Sequence, residues 1–289
     1  MTLAGGKAHT LLAECPGALL QFFDTPAACA LRLVCREFQA AVAAYPWEDR
    51  ETVILGSIGG WRACFPRARC ANVRFYENLR RVFRQTPVVD ADFVHFVGLW
   101  ELNMECCTAV TDAAFVHLRG IRVLNMGGCS QSTITDAGLA HLVGIQKLSI
   151  WGCRQATLTD AAFAPLRGIR VLNMSFCPQF TDEAFAHLKG IHTLHMRYCG
   201  QPTITDAALA HLKGIKCLLL YRCSIPFTEA GLAHLKGISR LHMGNANAAS
   251  IAAARDLGLP ATTGGVTESS AFRFSDTESG PWPAGAEWA

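Results

Sequence analysis

The stretch that decides the fold is Thr111–Asp–Ala–Ala–Phe–Val–His–Leu–Arg–Gly–Ile–Arg–Val–Leu–Asn–Met–Gly–Gly–Cys129, which recurs along the chain. Four related stretches open on the same residue type, at Thr135, Thr159, Thr181 and Thr205. A glycine of the unit returns every 22 to 24 residues, from Gly98 to Gly237. A fixed period in this range is typical of proteins that stack one strand and one helix per repeat.

The apolar residues after each repeat glycine follow the pattern L-x-x-L-x-L-x-x-C. In one unit the pattern is met by Ile121, Leu124, Met126 and Cys129. Since spacing, residue types and turn residues recur together, the chain resembles the cysteine-containing leucine-rich-repeat proteins. The resemblance implies an α/β leucine-rich-repeat solenoid: a horseshoe arc with a parallel inner β-sheet and short outer helices. We expect about eight strands within residues 70–258.

Each repeat also carries signals for the ends of its outer helix. An aspartate opens the predicted helices, at Asp112, Asp136, Asp160, Asp182 and Asp206. We expect its carboxylate to cap the free amide groups of the first turn, and the repeat glycine to end the helix in the left-handed conformation. The segment from Ala248 to Leu257 is predicted to form a last helix that closes the stack.

Six of the 13 cysteines occupy one equivalent place per repeat. They are Cys107, Cys129, Cys153, Cys177, Cys199 and Cys223. A small thiol can pack inside the turn after the strand and donate a weak hydrogen bond to the backbone. Neighbouring strands lie about 4.8 Å apart, a distance that a disulfide tolerates, so distance alone leaves both states open. The single-file arrangement and an intracellular location favour free thiols.

Composition limits the class of protein further. The chain has 289 residues, of which 51% are hydrophobic and 17% charged, and a formal charge of +3. That charge by itself gives no argument for a nucleic-acid partner. The sequence has no run of 18 apolar residues, and the apolar stretch 19–23 is too short for a signal-peptide core. We therefore expect no membrane contact and an intracellular protein of the cytoplasm or nucleus.

Residues 11–48 are predicted to form a compact helical module. Pro26 suits the first position of a helix, and the segment Val34–Cys–Arg–Glu–Phe38 continues an apolar pattern of three- and four-residue steps. This segment resembles an F-box, although Leu12, Cys15 and Ala27 depart from that family's pattern. The resemblance implies a surface for the ligase adaptor, formed by Leu19, Leu20, Leu31, Val34 and Cys35. An alternative is that the module only caps the first repeat.

The remaining segments are predicted from composition. Residues 1–10 are expected to be an N-terminal tail, and residues 49–69, with Gly56, Gly59 and Gly60, a junction. Residues 259–289 lose the repeat period and are rich in Gly, Pro, Ser and Thr, so we expect a flexible C-terminal tail.

Few residues are candidates for catalysis, metal binding or nucleic-acid contact. One histidine per repeat recurs on the outer helices without a matching carboxylate or thiolate, so neither a metal nor a cofactor is expected. Cys217 and His195 are predicted to be neighbours on adjacent strands, but an open sheet face offers no oxyanion hole. Arginines between Arg62 and Arg84 alternate with aromatic residues, and a solvated face is favoured there over nucleic-acid contact. The sequence predicts a non-catalytic protein.

The concave face of the sheet is the candidate binding surface. Along each strand the leucines point inward, and the intervening residues face the ligand side. Aromatic and basic residues that differ between repeats are concentrated there. The candidate substrate-binding residues are Trp151, Phe176, His195, Arg197, Tyr198, Tyr221 and Arg222. Guanidinium groups suit an acidic or phosphorylated ligand.

The combined resemblance implies a function. F-box proteins with such repeats are substrate-recognition subunits of SCF-type (cullin–RING) ubiquitin ligases. The F-box would dock on the ligase adaptor, and the concave face would hold an unidentified protein substrate. The alternative is a non-catalytic interaction scaffold whose N-terminal helices only cap the repeats.

Overall fold

A computed structural model describes residues 20, 23, 25–33, 36–75 and 87–263. Its centre is one sheet of nine parallel strands in sequence order. The strands are β1 (Cys70–Asn72), β2 (Glu101–Asn103), β3 (Val123–Asn125), β4 (Lys147–Ser149), β5 (Val171–Asn173), β6 (Thr193–His195), β7 (Cys217–Leu219), β8 (Arg240–His242) and β9 (Ala261–Thr262). Equivalent repeat positions pair throughout, as in Leu172 with Leu194. The predicted parallel inner sheet is confirmed.

Short helices connect the strands on the outer side. In the described part of the chain, the helices before the repeats are α1 (Thr25–Leu31), α2 (Arg36–Ala44) and α3 (Ile58–Cys64). The outer α-helices among the described residues are α4 (Asp112–Phe115), α5 (Asp136–Leu139), α6 (Asp182–Ala186), α7 (Asp206–His211), α8 (Glu229–Leu232) and the closing helix α9 (Ala248–Asp256). Further 3-10 helices are Asp90–Phe96, Val116–Leu118, Asp160–Leu166 and Ala233–Leu235.

The hydrophobic core runs without a break between the sheet and the outer helices. Leu172 and Met174 of the fifth repeat are fully buried against phenylalanines such as Phe163 and Phe185. One cluster extends in this way from Ile58 to Leu259. Because helices of four to nine residues are too short to be stable alone, this stacking stabilises them.

The repeat glycines have the predicted backbone conformation. All seven, from Gly98 to Gly237, have φ between +80° and +89°. A residue with a β-carbon is strained there, which explains why glycine recurs at this place.

The helix caps differ from the prediction. Threonine, not aspartate, is the capping residue: Thr181 has an extended backbone, and its hydroxyl accepts a hydrogen bond from the amide of Glu183 at 3.3 Å. The aspartate is already the first helical residue, so its carboxylate points away from the amides that it was expected to cap. It reaches the neighbouring repeat instead. Asp160 accepts bonds from the backbone N–H and the hydroxyl of Thr181, at 2.9 and 2.6 Å.

This aspartate–threonine pair recurs between neighbouring repeats and forms an inter-repeat ladder. Its six pairs are Asp90–Thr111, Asp112–Thr135, Asp136–Thr159, Asp160–Thr181, Asp182–Thr205 and Asp206–Thr228. Each threonine therefore caps its own helix and binds the carboxylate of the repeat before it. The ladder links neighbouring repeats at the outer surface, where the hydrophobic core does not connect them.

The repeat cysteines are buried free thiols. Each sulfur donates a hydrogen bond to a carbonyl oxygen of the preceding repeat, as from Cys177 to Ile150 at 3.1 Å and from Cys153 to Met126 at 3.2 Å. The described part of the chain holds 11 cysteines, and all of them are free thiols. Burial raises the pKa of Cys153 to about 12 and that of Cys199 to about 11. These thiols stay protonated and act as structural donors.

The N-terminal helices pack against the first repeat through a small second core. Leu20, Val42, Trp47 and Phe65 are buried there together. The indole N–H of Trp47 donates to the carbonyl of Val42 at 2.7 Å, and its ring meets that of Phe65 edge to face at 5.3 Å. The described part of the predicted module is therefore helical and is attached to the solenoid.

The sheet is one strand longer than expected. β9 lies inside the segment 259–289, which the sequence predicts as a flexible tail, so that prediction is wrong at its first residues. Leu259 is nearly buried, and the hydroxyl of Thr262 lies 2.9 Å from Nδ1 of His242. β9 pairs with the otherwise open edge of β8. Residues 264–289 lie outside the described part of the chain.

Candidate functional site

The concave face carries a groove with a cavity volume of about 640 Å³. Side chains alternate along each strand, so the residues between the buried leucines form its floor. The residues that follow each strand form its rim. All seven predicted substrate-binding residues line it: Trp151, Phe176, His195, Arg197, Tyr198, Tyr221 and Arg222. Their role in binding stays a prediction.

Four aromatic rings form a continuous row across successive repeats. Trp151 meets Phe176 edge to face at 5.7 Å, and Phe176 stacks on Tyr198 with ring centroids 4.3 Å apart. Tyr198 meets Tyr221 at 6.1 Å, and Tyr221 stacks on His242 at 6.0 Å. Contacts of this kind contribute roughly 0.5–1.5 kcal/mol each beyond the area that they bury. The row therefore gives the groove a rigid apolar wall.

Two rings of this row stand on an unfavourable backbone conformation. Phe176 has φ of 61° and Tyr198 has φ of 56°, at the place where other repeats have Gly128 and Gly152. For a residue with a β-carbon, the left-handed conformation costs about 1–2 kcal/mol. Cys106, Arg222 and Asn245 share this positive φ, so the turn of the repeat imposes the conformation, and the rings of Phe176 and Tyr198 are held in place at that cost.

Guanidinium groups cover the aromatic row. Arg197 lies over the ring of Tyr221 at 5.2 Å, and Arg222 lies over both Tyr198 and Tyr221, at 5.4 and 5.7 Å. Arg154 lies over Phe176 at 5.7 Å. Arg154 is not among the residues that the sequence predicts for this face, although its position directly after a repeat cysteine could have indicated it. Cation–π contacts hold these arginines in place before any ligand arrives.

Two histidines lie at this end of the groove: His195 lines it, and His242 stacks on Tyr221 beside it. His195 is predicted as an exposed side chain but is only 8% exposed. Burial, followed by Arg197 and Arg240, lowers its pKa to about 4. Burial and Arg197 also lower the pKa of His242. Both histidines are therefore neutral near pH 7.

An acidic residue lies at the opposite end of the groove. Glu105 is the one carboxylate among the lining residues of the groove. Burial raises its pKa, against the opposing effects of Arg74 and of a hydrogen bond from Asn125. The asparagines nearby are structural: Asn125 accepts a bond from the N–H of Gly127, and Asn173 one from the N–H of Ser175, both at 3.1 Å.

Cys217 and His195 lie on adjacent strands, as predicted, but they are not directly opposite each other. In the sheet register Cys217 lies beside Thr193 and Arg240, whereas His195 lies beside Leu219. Cys217 is offset from His195 by two positions along the paired strands, whereas the sequence-based assignment placed the two side by side. The register gives no support to a nucleophile and base pair on this face. The described residues also contain no group of three metal-ligating side chains.

The predicted adaptor surface is only partly described. Leu20 is fully buried in the second core, so its assignment as an adaptor contact is wrong: its side chain faces the module's own interior. Leu31 is half-buried, and Leu33, in the turn after α1, is 88% exposed. Leu19, Val34 and Cys35 lie outside the described residues. None of the described helices is long and apolar enough to span a membrane.

Comparison with solved structures identifies the fold. Internalin C2 from Listeria monocytogenes matches with a TM-score of 0.53 and 19% identity, over 70% of this chain and 84% of its own. The internalin inlF of the same strain matches with a TM-score of 0.53 and 15% identity, over 76% and 60%. The chain is a leucine-rich-repeat solenoid. At this level of identity the likeness extends to the fold alone.

Other matched chains are much longer. A chain of the Drosophila Toll–Spatzle complex matches with a TM-score of 0.54 and 12% identity, over 73% of this solenoid and 28% of that chain. This chain spans 30% and 41% of the first two matched structures, the TLR13–ssRNA13 and the yeast Rad7–Elc1 complexes. No protein-family model and no curated protein sequence matches this chain.

Proposed function

We propose that the chain is a non-catalytic substrate-recognition subunit of an SCF-type ubiquitin ligase. The N-terminal module would dock on the ligase adaptor, and the concave groove would hold a protein substrate. The observation that carries the proposal is the groove: preordered rings and guanidinium groups line a cavity of a size suited to a peptide segment. Aromatic and arginine side chains of this kind dominate binding energy at protein interfaces.

The resemblance of residues 11–48 to an F-box supports the adaptor half of the proposal. Within the described part, the end of α1 and the turn after it leave apolar side chains on the surface, with Leu31 half-buried and Leu33 88% exposed. An exposed leucine beside further predicted contacts is suited to an apolar interface. Leu31 and Leu33, with Leu19, Val34 and Cys35, are the adaptor contacts that we propose.

Capture of the purified chain by the adaptor tests this proposal. We expect stoichiometric capture of the intact chain and its loss in Leu33→Asp, because burying an unpaired carboxylate in an apolar interface is costly. The matched control is Val143→Asp, which places the same charge on a residue 67% exposed on the solenoid. Circular dichroism verifies that both variants are folded. Failure of the intact chain to bind any adaptor would contradict the proposal.

A second candidate function is an interaction scaffold without a ligase. The observation that favours it is the second core, where Leu20 and Val42 of the module pack on Phe65 and Ala68 of the junction. That packing is what a cap on the first repeat needs. If this alternative holds, Leu33→Asp has no effect on any complex, because the N-terminal module serves only to cap the solenoid.

A further inference from the structure

Lysine and arginine side chains line one lateral edge of the solenoid, where the outer helices end and the strands begin. Two places in each repeat supply them: the residue before the repeat glycine and the residue directly before the strand, as in Lys213 and Lys216 around Gly214. From the repeat of β3 to the repeat of β8, these places hold eight cations and no Asp or Glu. The eight exposed cations are Arg119, Arg122, Arg167, Arg170, Lys189, Lys213, Lys216 and Lys236.

The repeat fold alone does not explain this cationic edge. A cation before the glycine suits the carboxyl end of the outer helix. Val143 nevertheless occupies that place after α5, and Gly144 keeps the same left-handed conformation, with φ of +82°. The residue directly before the strand follows the glycine and lies outside the helix, so the helix dipole gives no reason for Arg170 or Lys216.

The charge of the cationic edge is not neutralised by neighbouring acids. Within the described part of the chain, none of the eight cations forms an ion pair with a carboxylate. Arg122 donates instead to the carbonyl of Gly144 at 3.1 Å. The aspartates of the inter-repeat ladder lie at the opposite edge, where the outer helices begin. The formal charge of +3 for the whole chain therefore conceals a separation of charge between the two edges.

We propose that the cationic edge binds the phosphate backbone of a nucleic-acid duplex, independently of base sequence. The strands β3 to β8 span five spacings, roughly 24 Å at about 4.8 Å each, so the edge presents roughly one cation per 3 Å. One strand of a duplex presents a phosphate about every 3.4 Å. Lysine and arginine that contact phosphates release bound counterions and give affinity without sequence preference. This inference rests on neither the adaptor-binding module nor the concave groove.

A lipid surface fits the cationic edge less well. A membrane-binding face combines cations with apolar side chains that enter the headgroup layer. In the repeats of β5 to β8, the other residues at the two places are the polar His192 and Ser239. The exposed apolar residues of this edge, Val97, Trp100 and Val143, belong to the repeats of β2 and β4 and are separated by the repeat of β3. The observations therefore favour a partner recognised by charge.

The salt dependence of binding tests the proposal. A labelled DNA duplex of mixed sequence is titrated with the purified full chain, without the adaptor, and its fluorescence anisotropy is measured at several salt concentrations. We expect the logarithm of the binding constant to fall linearly with the logarithm of salt concentration, with a slope no steeper than about −7, because each contact contributes about −0.9. Lys213→Gln with Lys216→Gln should make the slope shallower by roughly 1.8.

Two control variants separate the cationic edge from the overall charge and from the fold. Lys213→Arg with Lys216→Arg keeps both charges and should keep the slope. Glu183→Gln with Glu229→Gln raises the net charge by the same amount that the lysine variant lowers it, but at exposed residues of the opposite edge, and should also leave the slope unchanged. Circular dichroism verifies that all variants are folded.

Three results would overturn the proposal. The first is no binding of the duplex by the intact chain, and the second is an identical slope in the intact chain and in Lys213→Gln with Lys216→Gln. The third is retention on phosphatidylserine vesicles without binding of the duplex, which would assign the cationic edge to a membrane surface. Capture by the adaptor is measured separately, so failure of this proposal is distinguishable from failure of the proposed ligase function.

Discussion

At the scale of single residues, the most informative position is Tyr198. Its backbone is left-handed, yet its ring joins Phe176 to Tyr221 and lies under Arg222. The sequence indicates Tyr198 as a surface candidate because it differs between repeats. It does not indicate the strain, since φ follows from the turn and not from the residue type. Only glycines at the equivalent place in other repeats hint at it.

Two substitutions of Tyr198 distinguish the effect of backbone strain on stability from the effect of the lost ring contacts. Both Tyr198→Gly and Tyr198→Ala remove the ring, but alanine retains the left-handed penalty. We expect the glycine variant to be the more stable of the two by about 1 kcal/mol in urea unfolding.

Tyr221, whose φ is not positive, is the matched control. There we expect the usual order, with alanine more stable than glycine by about 0.5–1 kcal/mol. The same order at both positions would contradict the strain at Tyr198.

At the scale of elements, two ladders of hydrogen bonds join neighbouring repeats. The sequence predicts the cysteine ladder correctly because a buried small thiol suits the turn after a strand. It misassigns the aspartate, since a side chain that caps a helix and one that binds the next repeat have the same spacing. Only the backbone conformation of Thr181, which is extended, distinguishes the two.

Removal of one aspartate tests the aspartate–threonine ladder. Asp160→Ala breaks two hydrogen bonds to Thr181, so we expect a loss of about 1.5–3 kcal/mol in the free energy of unfolding. Glu183→Ala removes the same charge one repeat further on and is expected to change stability by less than about 0.5 kcal/mol. Equal losses of unfolding free energy in the two variants would show that the removed charge, and not the removed hydrogen bonds of the ladder, lowers stability.

The cysteine ladder predicts loss of stability in alkaline solution. Burial raises the pKa of Cys107 and Cys153 from 9.0 to about 12, so these thiols ionise first in the unfolded chain. Their contribution to stability is complete below pH 9 and is lost as the pH rises towards 12.

Cys153→Ala removes one of these contributions. Between pH 8 and pH 10, under reducing conditions, its free energy of unfolding should fall by about 1 kcal/mol less than that of the intact chain. An identical fall in both chains would contradict ionisation of the buried thiols as the cause.

At the scale of the whole molecule, the repeat period predicts the solenoid because each unit repeats the same core, turn and strand. The strand β9 escapes prediction, since two residues carry no period and are determined by the open edge of β8. The concave position of the groove residues follows from strand alternation. The burial of His195 does not, because alternation alone places its side chain on the open face of the sheet.

The central claim is that the chain joins an adaptor-binding module to a separate recognition face. Hydrogen exchange of the full chain, with and without the adaptor, tests it most directly. The account predicts slower amide exchange in Thr25–Leu31 and Arg36–Ala44 on adding the adaptor, with exchange in β3 to β8 unchanged. Unchanged exchange in both helices, or protection confined to the strands of the sheet, would contradict it.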